Sequence, residues 1–175
     1  MKRTGLEQKF FEACEGVVHE CGYLLYDFEY LNSQKLLRVF IMDEASSSAV
    51  IDDCVKVDRA LSPVFEENDW IPEDITLEVS SPGIYRKLKT RQHYDWSVGK
   101  RIQVKFRGNP VSFTGDKKVE KYLKGRVVIG VLENIGTEEN FEIKLNTQQA
   151  GQEVNVVLLQ EQVVRAQWEP VIRSF

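Results

Sequence analysis

The sequence predicts two folded modules: a two-layer α+β domain of order αββαβ, followed by a small all-β domain closed into a barrel. Three observations lead to this prediction. Long helical apolar stripes occur only before residue 84, short strand-like runs dominate after residue 99, and the charge changes sign between the two halves. Of the 175 residues, 42% are hydrophobic and 29% are charged, which is typical of globular chains and excludes disordered or fibrous ones.

The first helix is predicted from an apolar stripe at helical spacing that ends before Gly22, because glycine terminates helices. The members of the stripe are Leu6, Phe10, Cys14, Val17 and Cys21. Two β-rich runs follow, Tyr23–Leu31 and Leu36–Met42, and the polar residues between them predict a hairpin.

A second helix is predicted after the polar loop Ser46–Ser48. Its apolar stripe consists of Ile51, Cys54, Val57, Leu61, Val64 and Phe65. Asp52 and Asp53 fall in the first turn, where carboxylates are favoured by the helix dipole, and Pro63 predicts a bend or the final turn. The alternating run Ile75–Val79 predicts a third strand, which completes the order αββαβ.

A turn and a short connection follow the third strand. In the run Ser80, Ser81, Pro82 and Gly83, the proline presets φ and the glycine supplies a positive φ. Thr90 predicts the cap of one short helical turn that ends near Trp96. We expect four segments: a first domain over 1–84, a semi-rigid linker over 85–98, a barrel over 99–170, and a tail over 171–175.

The second module is predicted from short strands separated by turns rich in glycine. The strands are Arg101–Phe106, Gly125–Leu132, Phe141–Leu145, Val154–Leu159 and Val163–Trp168. Such a series is typical of a small closed barrel, which removes exposed sheet edges. The segment Gly108–Lys124 is strongly polar, and we expect a long loop or an extended hairpin there.

The charge is divided unevenly along the chain. Residues 1–84 contain 7 Lys and Arg against 17 Asp and Glu, a net of −10, whereas residues 85–175 contain 16 against 10, a net of +6. The excess is densest between Arg86 and Arg126, where 13 positive side chains face three acidic ones. The asymmetry indicates one module for an anionic partner and one for a cationic partner, or two solvated faces that neutralise each other.

The basic residues predict binding to RNA, since cations neutralise phosphates and release counterions. The set is Arg86, Lys87, Lys89, Arg91, Lys100, Arg101, Lys105, Arg107, Lys117, Lys118, Lys121, Lys124 and Arg126. Six aromatic residues lie among them, and exposed ones could stack on unpaired bases. They are Tyr85, Tyr94, Trp96, Phe106, Phe113 and Tyr122. We expect Trp96 and Phe106 to be core residues.

The turn Ser80–Gly83 allows two interpretations, which do not exclude each other. Its hydroxyl and backbone N–H groups could hold an anion such as phosphate. Alternatively, the turn sets the angle at which the chain leaves the first domain, and we favour this structural role.

An enzyme is the less favoured class. The sequence has only two histidines, His19 and His93, and it contains none of the common hydrolase, metalloprotease or nucleotide-binding motifs. Three cysteines without a CxxC pair indicate neither disulfides nor a zinc site, so we expect no cofactor and no metal. No long apolar segment indicates a signal peptide or a membrane span, and we expect a cytoplasmic, monomeric protein. A protein-binding adaptor with a groove for proline-rich peptides is a second alternative.

Several motifs, in order and at the expected spacing, resemble the ribosome maturation factor RimP family. They are Leu77–Gly83, Arg86, Leu88–Thr90, His93–Tyr94, Cys21–Tyr23, Leu37–Ile41, Asp52–Cys54, Phe113–Gly115 and Val163–Ala166. The resemblance covers most of the chain from Leu6 to Trp168. It implies an α/β N-terminal domain joined to an Sm-like or SH3-like small barrel.

The resemblance also implies a function. Members of this family bind the small (30S) ribosomal subunit during assembly and assist its late maturation without catalysis. The implied partners are ribosomal RNA and a ribosomal protein near the decoding centre. Because the acidic first module would be repelled by RNA, we expect it to approach the basic ribosomal protein, while the basic segment contacts the RNA.

Overall fold

The computed structural model describes residues 5–139, 141–149 and 151–171. These residues form two compact units, and the division falls between Gly83 and Ile84. We refer to them as the first unit and the second unit.

The first unit has the predicted order αββαβ. Its elements are α1 (Leu6–Glu20), β1 (Leu24–Leu31), β2 (Leu36–Met42), α2 (Ile51–Glu67) and β3 (Thr76–Ser80). The connection between β1 and β2 is a single 3₁₀ turn, Asn32–Gln34, followed by Lys35 in the left-handed conformation with φ of 51°. The helix α2 continues through Pro63 for one more turn.

The three strands form one sheet in the order β1-β2-β3. β1 pairs with β2 in antiparallel fashion, whereas β3 lies parallel to β2. Leu37 and Val39 of β2 pair with Leu77 and Val79 of β3, and these four side chains lie on the sheet face that the helices cover. The buried core on that face consists of Phe10, Cys14, Val18, Phe28, Leu37, Val39, Ile41, Val57, Leu61 and Ile71.

The start of α2 is held by a side chain from its own first turn. Val50 precedes the helix and has no side-chain acceptor, but the Asp53 carboxylate accepts the Val50 N–H at 2.9 Å. The same carboxylate accepts the Tyr23 hydroxyl at 2.6 Å. Asp53 therefore caps the helix and ties it to the chain that leads into β1.

The second unit is rich in strands. Its elements are α3 (Arg91–Asp95), β4 (Arg101–Phe106), β5 (Ser112–Phe113), α4 (Lys117–Leu123), β6 (Val127–Ile135), β7 (Glu142–Gln149), β8 (Gln152–Leu159) and β9 (Val163–Trp168). Thr90 caps α3 as predicted, since its side chain accepts the His93 N–H at 3.3 Å. The five predicted strands all form, with boundaries that shift by several residues at some ends.

The strands of the second unit form one sheet in the order β5-β8-β7-β6-β4-β9. The pairings among the described residues leave β5 and β9 at opposite ends of this order, so the sheet is not closed and the closed barrel is not confirmed. The first and last of the predicted strands, β4 and β9, nevertheless pair with each other. The core includes Tyr94, Ile102, Val104, Phe106, Leu132 and Leu145, all buried.

The prediction of a long loop or hairpin over Gly108–Lys124 is wrong in part. This segment contains the short strand β5 and the helix α4, whose residues Val119 and Leu123 are buried in the core. Asp116 caps the helix by accepting the N–H groups of Lys118 and Val119 at 2.8 and 3.3 Å. Only Val119 and Leu123 of α4 are buried, and Tyr122 is partly buried against the same core, so the helix is too short to show a recognisable stripe.

The segment that we expect to be a linker packs within the second unit. Leu88 and Tyr94 belong to its core. The Leu88 N–H donates to the Ala166 carbonyl at 2.9 Å, and the Trp168 N–H donates to the Arg86 carbonyl at 3.0 Å. Of the tail over 171–175, only Val171 lies among the described residues, and it is exposed. No helix in the described part of the chain is long and apolar enough to cross a membrane.

Candidate nucleic-acid interface

The strand β4 separates apolar from basic residues because side chains alternate between the two faces of a sheet. Ile102, Val104 and Phe106 are buried in the core, whereas Arg101 and Lys105 are exposed on the opposite face. β9 continues this pattern, with Ala166 buried and Arg165 exposed. The outer face of this strand pair is therefore positively charged.

Two of these cations stand directly opposite each other. In the antiparallel pairing of β4 with β9, Lys105 is the partner of Arg165. Side chains in such pairs lie roughly 4.5–5.5 Å apart at Cβ, and like charges at this position destabilise the sheet. Neither cation forms an ion pair that is assigned among the described residues. The pair is thus a place where a bound anion would relieve repulsion.

Further cations surround the end of β4. The Phe106 N–H donates to the Arg126 carbonyl at 3.0 Å, which brings the chain at Lys124–Arg126 beside the chain at Lys105–Arg107. The Arg107 guanidinium donates to the Glu161 carbonyl at 3.1 Å. We refer to five residues together as the basic strand cluster: Lys105, Arg107, Lys124, Arg126 and Arg165.

The helix α4 adds positive charge next to this cluster. Lys117, Lys118 and Lys121 are all exposed and lead to Lys124 of the cluster, which follows the last residue of the helix, while Val119 and Leu123 hold the helix against the core. Lys124 lies 3.7 Å from the Glu120 carboxylate, and both side chains are mostly exposed. A pair of this kind is weak, so the lysine can exchange its partner for a phosphate.

Two of the predicted RNA-binding residues are used for packing. Arg86 is buried, with its guanidinium 4.1 Å above the ring of Trp168. Arg91 is partly buried, donates to the Gly136 carbonyl at 2.7 Å and lies 5.1 Å from the ring of Phe141. Both guanidinium groups therefore contact groups of the second unit, and their binding of RNA stays a prediction.

Four of the remaining predicted cations are exposed around β4 and β9. Lys87 pairs with Gln167 of β9, and the Lys89 N–H donates to the His93 imidazole at 3.0 Å. The Lys100 ammonium lies 5.7 Å from the ring of Trp168, and Arg101 lies on the outer face of β4.

Most of the aromatic residues are not available for stacking on bases. Tyr94 and Phe106 are buried, as expected for Phe106, and Trp96 stacks on His93 with ring centroids 5.9 Å apart. Tyr122 is partly buried against the core. Tyr85 and Phe113 are exposed and are the two aromatic side chains of the predicted set that could contact a base.

The turn Ser80–Gly83 ends the first unit. Gly83 has a φ of 74°, the left-handed conformation that the sequence predicts for it. The Ser81 hydroxyl accepts the Gly83 N–H at 3.3 Å, and the Ser80 hydroxyl donates to the Ser81 carbonyl at 3.4 Å, so both hydroxyls form hydrogen bonds within the turn. These contacts favour the structural interpretation of the turn, and its binding of an anion stays a prediction.

Arg165 is the residue that the sequence analysis missed. It lies outside the dense basic segment, 60 positions after Lys105 in the chain. Its signal in the sequence is weak, because β9 does not alternate strictly: Val164 and Arg165 are both exposed next to a register shift in the pairing with β4. Only the register of β4 with β9 shows that the two charges meet.

Residues 13–85 match the family model of the RimP N-terminal domain. The match begins within α1, covers the rest of the first unit and ends two residues after Gly83, and it confirms the resemblance on which the sequence analysis relied. RimP proteins are ribosome maturation factors, known as assembly factors rather than enzymes.

Proposed function

We propose that this chain, which carries a RimP N-terminal domain, is a non-enzymatic maturation factor of the small ribosomal subunit. In this proposal the second unit binds ribosomal RNA through the basic strand cluster and the lysines of α4. The first unit approaches a basic ribosomal protein near the decoding centre, and the protein acts in the cytoplasm as a monomer.

The observation that carries the RNA-binding half is the pair formed by Lys105 and Arg165. Two like charges at directly opposite positions on one sheet face reduce stability. A phosphate between them would neutralise both and release counterions from the RNA. Arg107, Lys124 and Arg126 border the same strand end, so several consecutive phosphates could be contacted.

The charge of the first unit supports the other half. Its sequence carries a net of −10, which repels a polyanion and attracts a basic protein. The two halves of the proposal therefore assign RNA and protein to different units.

The strand order of the second unit supports an Sm-like arrangement as part of this proposal. The strands β4, β6, β7 and β8 pair in sequence, and the last strand, β9, returns to pair with the first. This arrangement brings Arg165 beside Lys105.

Co-sedimentation with isolated small subunits and with intact ribosomes, over a series of salt concentrations, tests the proposal. We compare the wild type with the double variant Lys105→Gln/Arg165→Gln. A control variant, Lys35→Gln/Lys144→Gln, removes the same charge at two exposed lysines outside the cluster. The proposal predicts binding to small subunits, and a log–log salt slope that falls by about 2 in the cluster variant.

The outcomes separate the alternatives. Binding to small subunits but not to intact ribosomes supports an assembly factor, because a maturation factor acts before the subunits join. Equal binding to any RNA would reduce the function to general RNA binding. An equal loss of slope in the control variant would show that net charge, and not the cluster, determines the affinity.

A further inference from the structure

The first unit contains an apolar groove between the start of α2 and the end of β3. Its volume is about 400 Å³, and its lining includes Val50, Ile51, Val55 and Val79. Ser80 and Ser81, at the start of the turn, also line it, while the basic strand cluster belongs to the second unit.

The helix α2 has a second apolar stripe that does not enter the core. Val57 and Leu61 are fully buried, whereas Ile51 is 80% exposed and Val55 40% exposed. Ile51 and Val55 are one helical turn apart and so lie on one face of α2. Val50, at the start of the helix, is 65% exposed. Contiguous exposed aliphatic side chains of this kind mark interaction surfaces.

The strand β3 forms an edge of the sheet next to this groove. Among the described strands it pairs with β2 alone. The Thr76 N–H donates towards β2, to the Lys35 carbonyl at 2.7 Å. Because backbone groups alternate along a strand, Leu77 and Val79 direct their N–H and C=O groups away from β2. Val79 also lines the groove, so backbone groups for a further strand are adjacent to an apolar site.

The groove has an acidic surrounding. Asp58 lines it, Asp52 is exposed next to Ile51, and the unit carries a net of −10, although one exposed cation, Arg59, lies one helical turn after Val55. Charge complementarity therefore selects a cationic occupant. A second copy of the same unit would bring two acidic surfaces together, and a nucleic acid would be repelled.

We propose that this groove binds an extended, cationic segment of a partner protein. An aliphatic side chain of the segment enters between Ile51, Val55 and Val79, and its backbone adds a strand to the free edge of β3. Lysine or arginine side chains on either side face Asp52 and Asp58. The inference rests on the proposed function only in taking the partner to be a basic ribosomal protein.

A defined peptide provides the first test. The full chain is titrated into a fluorescent peptide of alternating lysine and isoleucine, and the dissociation constant is measured by anisotropy. The variant Ile51→Gln/Val55→Gln removes the exposed aliphatic side chains with little effect on the helix. We expect it to bind at least about tenfold more weakly, as the loss of one buried aliphatic contact requires.

The control variant is Val98→Gln/Val164→Gln, which changes two exposed valines of the second unit. We expect it to bind the peptide as the wild type does. Equal binding by the groove variant and the wild type would overturn the proposal. Equally tight binding of a peptide of alternating lysine and serine would also overturn it, because charge alone would then account for the affinity.

The strand addition has its own readout. Peptide binding should shift the amide resonances of Leu77 and Val79 in an NMR titration, and N-methylation of the peptide backbone at alternate residues should abolish binding. Unshifted amides at both positions would overturn the edge pairing. A concentration-dependent dimer that the groove variant lacks would assign the groove to a second copy instead.

Failure here is distinguishable from failure of the proposed function. Co-sedimentation of the groove variant with small subunits reports on the basic strand cluster, which the variant leaves intact. If the groove variant retains salt-dependent binding to small subunits and also binds the peptide as tightly as the wild type does, only the proposal about the groove is overturned.

Discussion

Each unit buries an apolar core of its own, but the two units carry net charges of opposite sign. In the first unit, two helices cover one face of a three-stranded sheet, and the acidic surface includes exposed aliphatic side chains beside a free strand edge. In the second unit, a six-stranded sheet with two short helices encloses the core and presents cations on the outer face of β4 and β9. Each unit has its own core cluster. The buried residues therefore determine the fold separately from the exposed charges that select the partner.

The largest expected effect tests whether the two cores are independent. Phe106 is buried in the second unit and Phe10 in the first. Truncating either to alanine should cost about 3–5 kcal/mol of the stability of its own unit. We expect Phe106→Ala to lose amide hydrogen-exchange protection only after Gly83, and Phe10→Ala only before it. Equal loss in both units for either variant would contradict the separation of the cores.

A smaller effect is expected inside the second core. The Tyr94 hydroxyl is buried, and it has no hydrogen-bond partner among the described residues. Since an unsatisfied buried polar group costs about 1–3 kcal/mol, Tyr94→Phe should raise the stability of the second unit by about 1 kcal/mol in denaturant unfolding. A loss of stability would show that the hydroxyl is hydrogen-bonded, for example to water.

The pH dependence of this substitution provides a check. Burial raises the pKa of Tyr94 above its ordinary value. The unfolded state therefore ionises first as the pH rises above about 10, and the folded wild type loses stability there. Phenylalanine cannot ionise, so the advantage of Tyr94→Phe over the wild type should grow in alkali.

A substitution on the charged face of the second unit should have a still smaller effect on stability, and it should raise stability while weakening RNA binding. Arg165→Glu places a carboxylate opposite Lys105, which should stabilise the sheet by roughly 0.2–1 kcal/mol. The same substitution should weaken RNA binding, because it adds a negative charge within the basic strand cluster. The double variant Lys105→Glu/Arg165→Glu restores like charges and should lose the gain. If Arg165→Glu neither raises the stability of the second unit nor weakens RNA binding, the pair of Lys105 and Arg165 contributes to neither property.

The elements of the first unit could be predicted because their patterns are local. Apolar stripes at helical spacing define α1 and α2, and alternation defines β2 and β3. The sequence could not indicate that α2 leaves Ile51 exposed, because Ile51 fits the predicted apolar stripe, and the choice between core and surface depends on where β3 lies. The helix α4 was missed for a related reason: its signal is one cap, Asp116, and two buried residues.

The candidate site was predictable in composition but not in arrangement. The dense basic segment between Arg86 and Arg126 indicates an anionic partner, and the structure leaves most of those cations exposed. It assigns Arg86 and Arg91 to packing against Trp168 and Phe141, which depends on contacts distant in sequence. Strand register, which no single-sequence pattern specifies here, is what places Arg165 opposite Lys105.

The smallest expected effect returns to the first unit and the contact between Tyr23 and Asp53. The hydroxyl donates to the carboxylate, which lowers the pKa of Asp53, with the Val50 N–H as a second donor. The same hydrogen bond raises the pKa of Tyr23 to about 12. Because the pKa of Asp53 is lowered in the folded state, its ionised carboxylate stabilises the fold at pH values above the pKa of the unfolded state, and this stabilisation is lost as the pH falls. Because the pKa of Tyr23 is raised, its neutral hydroxyl stabilises the fold below about pH 10, and this stabilisation is lost as the pH rises.

Tyr23→Phe should therefore lower the stability of the first unit most at neutral pH. The difference from the wild type should shrink below about pH 4 and again as the pH rises from about 10 towards 12. Urea unfolding at several pH values, followed by a probe in the first unit, measures this window. Tyr30→Phe, which removes a hydroxyl that donates to Asn32 rather than to a carboxylate, is the matched control and should show no such acid dependence. If Tyr23→Phe lowers stability by the same amount at all pH values, lost packing accounts for the effect of the substitution. The charge-assisted hydrogen bond cannot then be the cause, because its strength depends on the ionisation of Asp53.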